Sequence, residues 1–169
     1  MNQTLSQTHF VAIGANLPGL DGCSPLATCE YGLRAIALLP YLRGATRSRW
    51  YSSAPVPAAD QPRYINGIVR LEGAVTPEKL LADLHAIEAE AGRTRGKLNE
   101  ARRLDLDIID MGGLRRLSPD PILPHPRAHT RAFVLLPLRD VAPGWMHPVL
   151  RLPLATLLAR LPPQDFRAV

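Results

Sequence analysis

Two periodicities alternate along the chain, and the switches between them mark its elements. Apolar residues recur at every second position in "HFVAIGAN" (residues 9–16), "YINGIVRLEG" (64–73) and "LDLDIID" (104–110), which predicts three strands, the first ending at Gly14. The stretch "GATRSRWYSSAPV" (44–56) predicts one further strand that runs out at Pro55. In residues 25–39 the apolar positions Leu26, Leu33, Ile36 and Leu39 fit a helix closed by Pro40. The clearest helix follows Thr76. That threonine can cap it, Pro77 suits its first position, Leu80, Leu81, Leu84 and Ile87 form a buried stripe, and Gly92 supplies the stop. Gly112 and Gly113 predict a turn into another short strand. "AFVLLPLRDVA" (132–142) and "LPLATLLARL" (152–161) predict two closing helices. "LPGLDGCSP", "PVPAADQPR", "RTRGKLNEA" and "DPILPHPRAHTR" read as loops. The order βαββαβ gives a ferredoxin-like α+β sandwich with additional C-terminal helices. At 169 residues one domain over 1–169 is expected, with residues 1–8 a flexible N-terminus.

Composition narrows the class. The chain is 46% hydrophobic and 21% charged, as a globular domain is, and its 17 prolines and 12 glycines agree with long loops. Cys23 and Cys29 fit no metal or redox spacing, so free thiols of a cytoplasmic protein are expected. The start "MNQTLSQTHF" lacks the basic and apolar regions of a signal peptide, and no apolar run approaches a membrane span. No feature demands an oligomer, and a monomer is expected. The formal charge is +5, and of the 20 basic residues all but Lys79 and Lys97 are Arg. Arginine grips phosphate through a planar fork, although GC-rich codon usage also yields an Arg-, Ala- and Pro-rich chain.

One stretch carries chemistry. In "RRLDLDIID" (102–110) Leu104, Leu106 and Ile108 alternate with Arg103, Asp105 and Asp107. Two carboxylates two residues apart share a strand face, about 6.5–7 Å from each other at Cβ. So close, they repel unless a cation lies between them. A solvated face with arginine partners explains this as an ion-pair cluster. A pair of Mg²⁺ ions completed by phosphate oxygens explains it as a site. Arg93, Arg95 and Arg102 lie within fifteen residues of the pair, and guanidinium groups beside Mg²⁺ suit phosphoryl transfer. No GxxxxGK[ST], GxGxxG or HExxH stretch offers another route to a nucleotide or a zinc ion.

With "AIGANL", "YSSAPV", "YINGIV", "LHAIEAEAGRTR", "RRLDLDI" and "ILPHPRAHTRAFVLLPL" in this order, the chain resembles the 6-hydroxymethyl-7,8-dihydropterin pyrophosphokinase family of folate biosynthesis from about Phe10 to Pro143. The resemblance implies transfer of pyrophosphate from ATP to a pterin alcohol, and the same βαββαβ fold. It implies that Asp105 and Asp107 hold two Mg²⁺ ions, that Arg93 and Arg102 stabilise the transferred group, and that Glu88, Arg95, Ile108, His125 and Arg131 lie on the ATP side. Asn66 would read the polar edge of the pterin, Tyr64 and Phe133 would stack on its ring, and Ser53, Pro55 and Val56 would line the slot. The chain departs from the family at Ala15, where serine is common, at Asp120, where some relatives are basic, and in the Trp-less loop "GKLNEA", which is expected to close over the substrates. A basic ferredoxin-like nucleic-acid-binding module is the competing reading, but an RRM needs aromatics exposed on its sheet and "YINGIVRL" supplies one. An inactive relic is the third; the intact acid pair and the three arginines speak against it. Membrane and nucleic-acid partners are not expected.

Overall fold

A computed structural model of the protein describes residues 6–92 and 101–169. Its elements run β1 (Gln7–Ala15), α1 (Pro25–Ala37), β2 (Leu42–Arg47), β3 (Tyr51–Ser53), β4 (Tyr64–Gly73), α2 (Pro77–Glu90), β5 (Asp105–Met111), α3 (Ala132–Val141), α4 (Leu154–Ala159) and β6 (Phe166–Ala168). The antiparallel sheet has the order β5-β1-β4-β3-β6, with β2 also paired to β4. Counting β2 and β3 as one interrupted strand, this is the ferredoxin-like order that the βαββαβ pattern predicts. Gln7 and Thr8 already pair with Gly73 and Glu72, so ordered structure begins inside the segment expected to be a flexible N-terminus.

Period-two alternation gives the sheet two apolar faces. Val11, Ile13, Leu71, Leu106 and Ile108 pack with Leu80 and Leu84 of α2 and with Cys29 and Ile36 of α1. Phe10, Ile68 and Ile109 pack with α3 and α4 through Val134, Leu135, Leu138 and Leu157. Ser24 caps α1 by accepting from the Ala27 N–H at 3.2 Å, and Thr76 caps α2 by accepting from that of Lys79 at 3.3 Å. Gly92, with φ of +81°, follows α2 in the left-handed conformation that ends helices.

Four local readings need correction. The expected strand over residues 44–56 is broken after Arg47. There the Ser48 hydroxyl accepts from the Ile68 N–H at 2.9 Å, and Trp50 lies flat over Gly67, where a Cβ would stand 2.6 Å from its ring. The buried face of α1 is wider than the expected stripe: Ile36 is buried and Leu26, Leu33 and Leu39 pack on the core half-buried, but smaller residues beside them go deeper. Thr28, Cys29, Gly32 and Ile36 are its buried residues, because small side chains let the helix approach Leu104, only 3.1 Å from a Cβ at Gly32. After Gly112 and Gly113 a single bridge, Arg116 to Leu123, replaces the expected short strand. And β6, which no periodicity announces, pairs with β3 and stacks Phe166 on Tyr51 at 4.6 Å between ring centroids.

A bulge in β5 matters for the site. Phe10 faces Asp110 and Val11 faces Ile108, so Ile109 is an extra residue. It turns Asp110 to the α3 face, where its carboxylate accepts from Trp145 Nε1 at 2.8 Å and from the Gly113 N–H at 2.9 Å. The Ile109 carbonyl accepts from the His125 N–H at 2.9 Å, which ties the loop before α3 to the strand carrying the acid pair.

Two buried histidines set a pH dependence. His9 Nε2 donates to the Gly73 carbonyl at 3.1 Å, and its Nδ1 has no hydrogen-bond partner among the described residues. His147 Nδ1 accepts from the N–H groups of Val149 and Leu150. Burial is the main cause that lowers both pKa values below 6.5. The unfolded chain therefore takes up protons that the folded one resists. This stability is fully present above about pH 6.5 and is lost as pH falls through the lowered values. Urea unfolding is expected to show a lower midpoint near pH 5 than near pH 7.5; an unchanged or higher midpoint would refute the assignment.

Candidate functional site

The sheet face covered by α3 and α4 is left open toward the end of β1, and a cleft of about 680 Å³, its open mouth included, lies there. Register fixes its floor. Asp105 faces Gly14, Gly14 faces Asn66, and Asp107 faces Ala12, so side chains from three strands share one surface. Gly14 must lack a side chain because a Cβ would stand 3.3 Å from Asn66 Oδ1 and fill the floor. Asn66 Nδ2 donates to Ser53 Oγ at 2.9 Å.

The cleft brings together most of the residues singled out in the sequence. Its lining includes Ser53, Pro55, Val56, Tyr64, Asn66 and Phe133 on one side and Arg102, Asp105, Asp107 and Arg131 on the other. Three expected site residues are not part of that lining. Ile108 points into the α2 side of the core. Glu88 is buried, and its carboxylate accepts from the Leu106 N–H at 2.7 Å, so it braces β5 from below the acids. His125 sits behind Asp107, with Nε2 3.9 Å from Asp107 Oδ2. Arg93, Arg95 and most of the loop expected to close over the site lie outside the described residues.

Electrostatics sort these groups. The guanidinium of Arg102 is paired with Asp105. Burial works against its charge, but Asp105 and Asp107 outweigh it and raise the Arg102 pKa. Arg131 lies over the Phe133 ring, 5.2 Å from its centroid, with a pKa lowered by burial and then by Arg127. His125 is pushed down to about 4, first by burial and then by Arg131 and Arg127. Its Nδ1 accepts from the Arg127 N–H at 3.2 Å, which places the proton of the neutral ring on the Nε2 facing Asp107. Burial raises the Tyr64 pKa, so its hydroxyl stays protonated.

Five residues of the lining were not assigned from sequence, Gly14, Ala54, Pro57, Gln61 and Arg127, and neither was Asn16 beside them. Asn16 ties the two halves of the cleft together. Its Nδ2 donates to the Pro62 carbonyl at 3.1 Å and to Gln61 at 3.4 Å, while its Oδ1 accepts from the Arg102 N–H at 2.8 Å. Gly14 and Asn16 fall inside "AIGANL", whose value as a signal was its resemblance alone; the pairing of β1 between β4 and β5 is what gives them work.

A ferredoxin-like sheet that presents a carboxylate pair, several guanidinium groups and a slot edged by aromatic rings is equipped to hold a polyphosphate beside a flat heterocycle. The family model described as 7,8-dihydro-6-hydroxymethylpterin-pyrophosphokinase (HPPK) matches residues 10–143, and the chain belongs to this family. It is 40% identical over 160 residues to the 2-amino-4-hydroxy-6-hydroxymethyldihydropteridine pyrophosphokinase of Pseudomonas aeruginosa, covering 92% of this chain and 93% of that one. The protein of the same name from Haemophilus influenzae is 36% identical over 135 residues, covering 80% and 81%. Among solved structures, a Plasmodium falciparum HPPK-DHPS triple mutant with pteroate superposes with a TM-score of 0.67 at 13% identity, over 94% of this chain and 44% of that one. That likeness concerns the fold.

Proposed function

We propose that the cleft transfers the pyrophosphoryl group of ATP to 6-hydroxymethyl-7,8-dihydropterin, releasing AMP, and that the chain does so as a single-domain cytoplasmic monomer. One observation carries the assignment of the site: Asp105 and Asp107 stand on an open sheet face between Arg102 and the slot of Tyr64, Asn66 and Phe133. Family membership carries the reaction.

The donor set fits magnesium that arrives with the nucleotide. Among the described residues no group of three His, Cys, Asp or Glu could hold a metal by itself. Two carboxylates leave most of an octahedron to phosphate oxygens and water, as Mg²⁺ prefers in such enzymes. Asp105 and Asp107 would hold two Mg²⁺ ions, which supply charge neutralisation on the phosphates and acidify the pterin hydroxyl. The chain's own residues do the rest. Asn66 offers an amide to the pterin's polar edge, and Ser53 fixes that amide by accepting from its Nδ2. Tyr64 and Phe133 bound the ring slot, with Pro55 and Val56 excluding water from its rim. Arg102 and Arg131 present positive charge where the phosphates lie, and Arg93 and Arg95 join them from the loop. Glu88, Ile108 and His125 act from beneath, holding β5 and Asp107 in place.

The deciding experiment incubates the protein with ATP, Mg²⁺ and hydroxymethyldihydropterin and follows AMP and the pterin diphosphate. Stoichiometric AMP is expected only with all three present. ADP in place of AMP, or no turnover, would overturn the proposal. A second expectation concerns the slot: Phe133→Ala should weaken pterin binding by about tenfold, since stacking adds about 0.5–1.5 kcal/mol beyond burial. ATP binding should change less, although Arg131 loses the ring beneath it. Calorimetric titration of each ligand separates the cases, and equal weakening of both would make Phe133 a packing residue.

A further inference from the structure

We propose that Arg127 is a further binding residue of the site, a cation that grips the polyphosphate chain of the nucleotide before the chemical step. The inference rests on the reading of the cleft as a pyrophosphokinase site, and it concerns a residue to which that reading gave no task.

Three arginines of the described residues line the cleft: Arg102, Arg127 and Arg131. Two have occupations in the free protein. Arg102 is paired with Asp105, and Arg131 lies over Phe133. The guanidinium of Arg127 has no hydrogen bond or ion pair among the described residues. Its backbone, in contrast, is held at both ends of the turn. The Arg127 N–H donates to His125 Nδ1 at 3.2 Å, and its carbonyl accepts from the Thr130 hydroxyl at 3.1 Å. His125 is itself anchored to the bulge of β5 through the Ile109 carbonyl and faces Asp107. So the root of Arg127 is fixed on the Asp107 side of the cleft while its charged end stays available.

The arrangement also runs against the electrostatics of an empty cleft. Arg127 and Arg131 carry like charge side by side in the cleft lining and repel each other; burial first and then Arg127 lower the Arg131 pKa. An exposed arginine relieves such repulsion by turning to water, so the free protein gains nothing from having it at the rim. A ligand with several negative charges reverses the sign: each added guanidinium then shares a phosphate oxygen, and the repulsion becomes the reason the anion is held. The pterin is neutral at its ring, so the polyphosphate is the ligand that this cation selects.

The test is equilibrium binding to the full chain with Mg²⁺ present, using three probes: a non-hydrolysable ATP analogue, inorganic triphosphate and the pterin. Arg127→Gln should weaken the ATP analogue and triphosphate alike by about tenfold, the size of one charge-assisted contact near the surface, and pterin by less than about twofold. Arg127→Lys should recover most of the loss, because a rim contact needs charge more than a fork. Raising the ionic strength should shrink the gap between parent and Arg127→Gln. In turnover, the loss should appear in KM for ATP more than in kcat, since the contact forms in the ground state. Unfolding temperatures should agree between the two proteins, which separates binding from folding. Equal affinity of parent and Arg127→Gln for triphosphate would overturn the inference, as would equal weakening of pterin. A parent that binds neither ATP analogue nor triphosphate would instead remove the reading of the site on which the inference stands.

Discussion

Asp107→Ala is expected to reduce pyrophosphoryl transfer by on the order of 10³-fold or more and to leave the fold intact. The side chain of Asp107 is 41% exposed and faces the cleft, while its strand neighbours Leu106 and Ile108 fill the core. His125, whose Nε2 lies 3.9 Å from the carboxylate, is neutral at pH 7, so that contact is not a charged pair. Asp105 meanwhile keeps Arg102 as its partner. Surface changes of this kind alter stability by about 0.5 kcal/mol or less. With the carboxylate gone, however, one side of the proposed magnesium site has no protein ligand, and the triphosphate keeps its charge when the pterin oxygen approaches. Thermal unfolding and single-turnover AMP release are the paired measurements. A large drop in unfolding temperature with substantial residual turnover would identify Asp107 as a structural residue.

How much of this was legible in the sequence follows from the range of each signal. The strand with the acids was readable because its alternation is local: each apolar residue between Leu104 and Ile108 goes to one face, and each aspartate to the other. The helix caps at Thr76 and Gly92 were readable for the same reason. The bulge at Ile109 was not, because "DIIDM" alternates equally well without it, and only pairing with Phe10 and Val11 shows which residue is extra. The break at Ser48 depends on Trp50 finding Gly67 across the sheet. The next strand of the same surface, β3, owes its outer partner to the C-terminal β6, more than a hundred residues away. Site residues divide in the same manner. Asp105, Asp107 and Arg102 announce themselves by charge pattern. The slot residues Ser53, Tyr64, Asn66 and Phe133 came from resemblance, and the structure gathers them in one cleft. Glu88 shows the limit of carrying a residue by resemblance without coordinates: in this structure its carboxylate holds the Leu106 N–H under the sheet rather than facing the cleft.

Arg102→Ala is expected to lower the single-turnover rate by at least about 10²-fold with small changes in the affinity of either ligand. The reason lies in the partners of Arg102 in the free protein. Its backbone is fixed, N–H to Asn16 Oδ1 at 2.8 Å and carbonyl to the N–H groups of Asn16 and Leu17 at 3.0 and 3.2 Å. Its guanidinium is held by Asp105, one of the two proposed magnesium ligands. A magnesium ion held by Asp105 would compete with Arg102 for the carboxylate, which would weaken that pair and leave the guanidinium available to the phosphates. A cation released there, on a fixed root, meets charge that develops on the transferred group more than charge already present in ATP. Interactions of that timing lower kcat when removed and leave ground-state binding nearly intact. The ion pair itself contributes modestly to stability, because its side chains stay 24% and 23% exposed and pairs open to solvent are worth about 0–1 kcal/mol; the unfolding temperature should move slightly. Arg102→Lys should recover little activity, since an ammonium lacks the planar fork that can bridge two phosphate oxygens. This is the opposite of the expectation for Arg127→Lys, and the contrast separates a transition-state contact from a rim contact. Rapid-quench measurement of AMP with enzyme in excess over pterin isolates the chemical step from product release. A rate within a few-fold of the parent would reduce Arg102 to the surface partner of Asp105 that the bare charge pattern also allows.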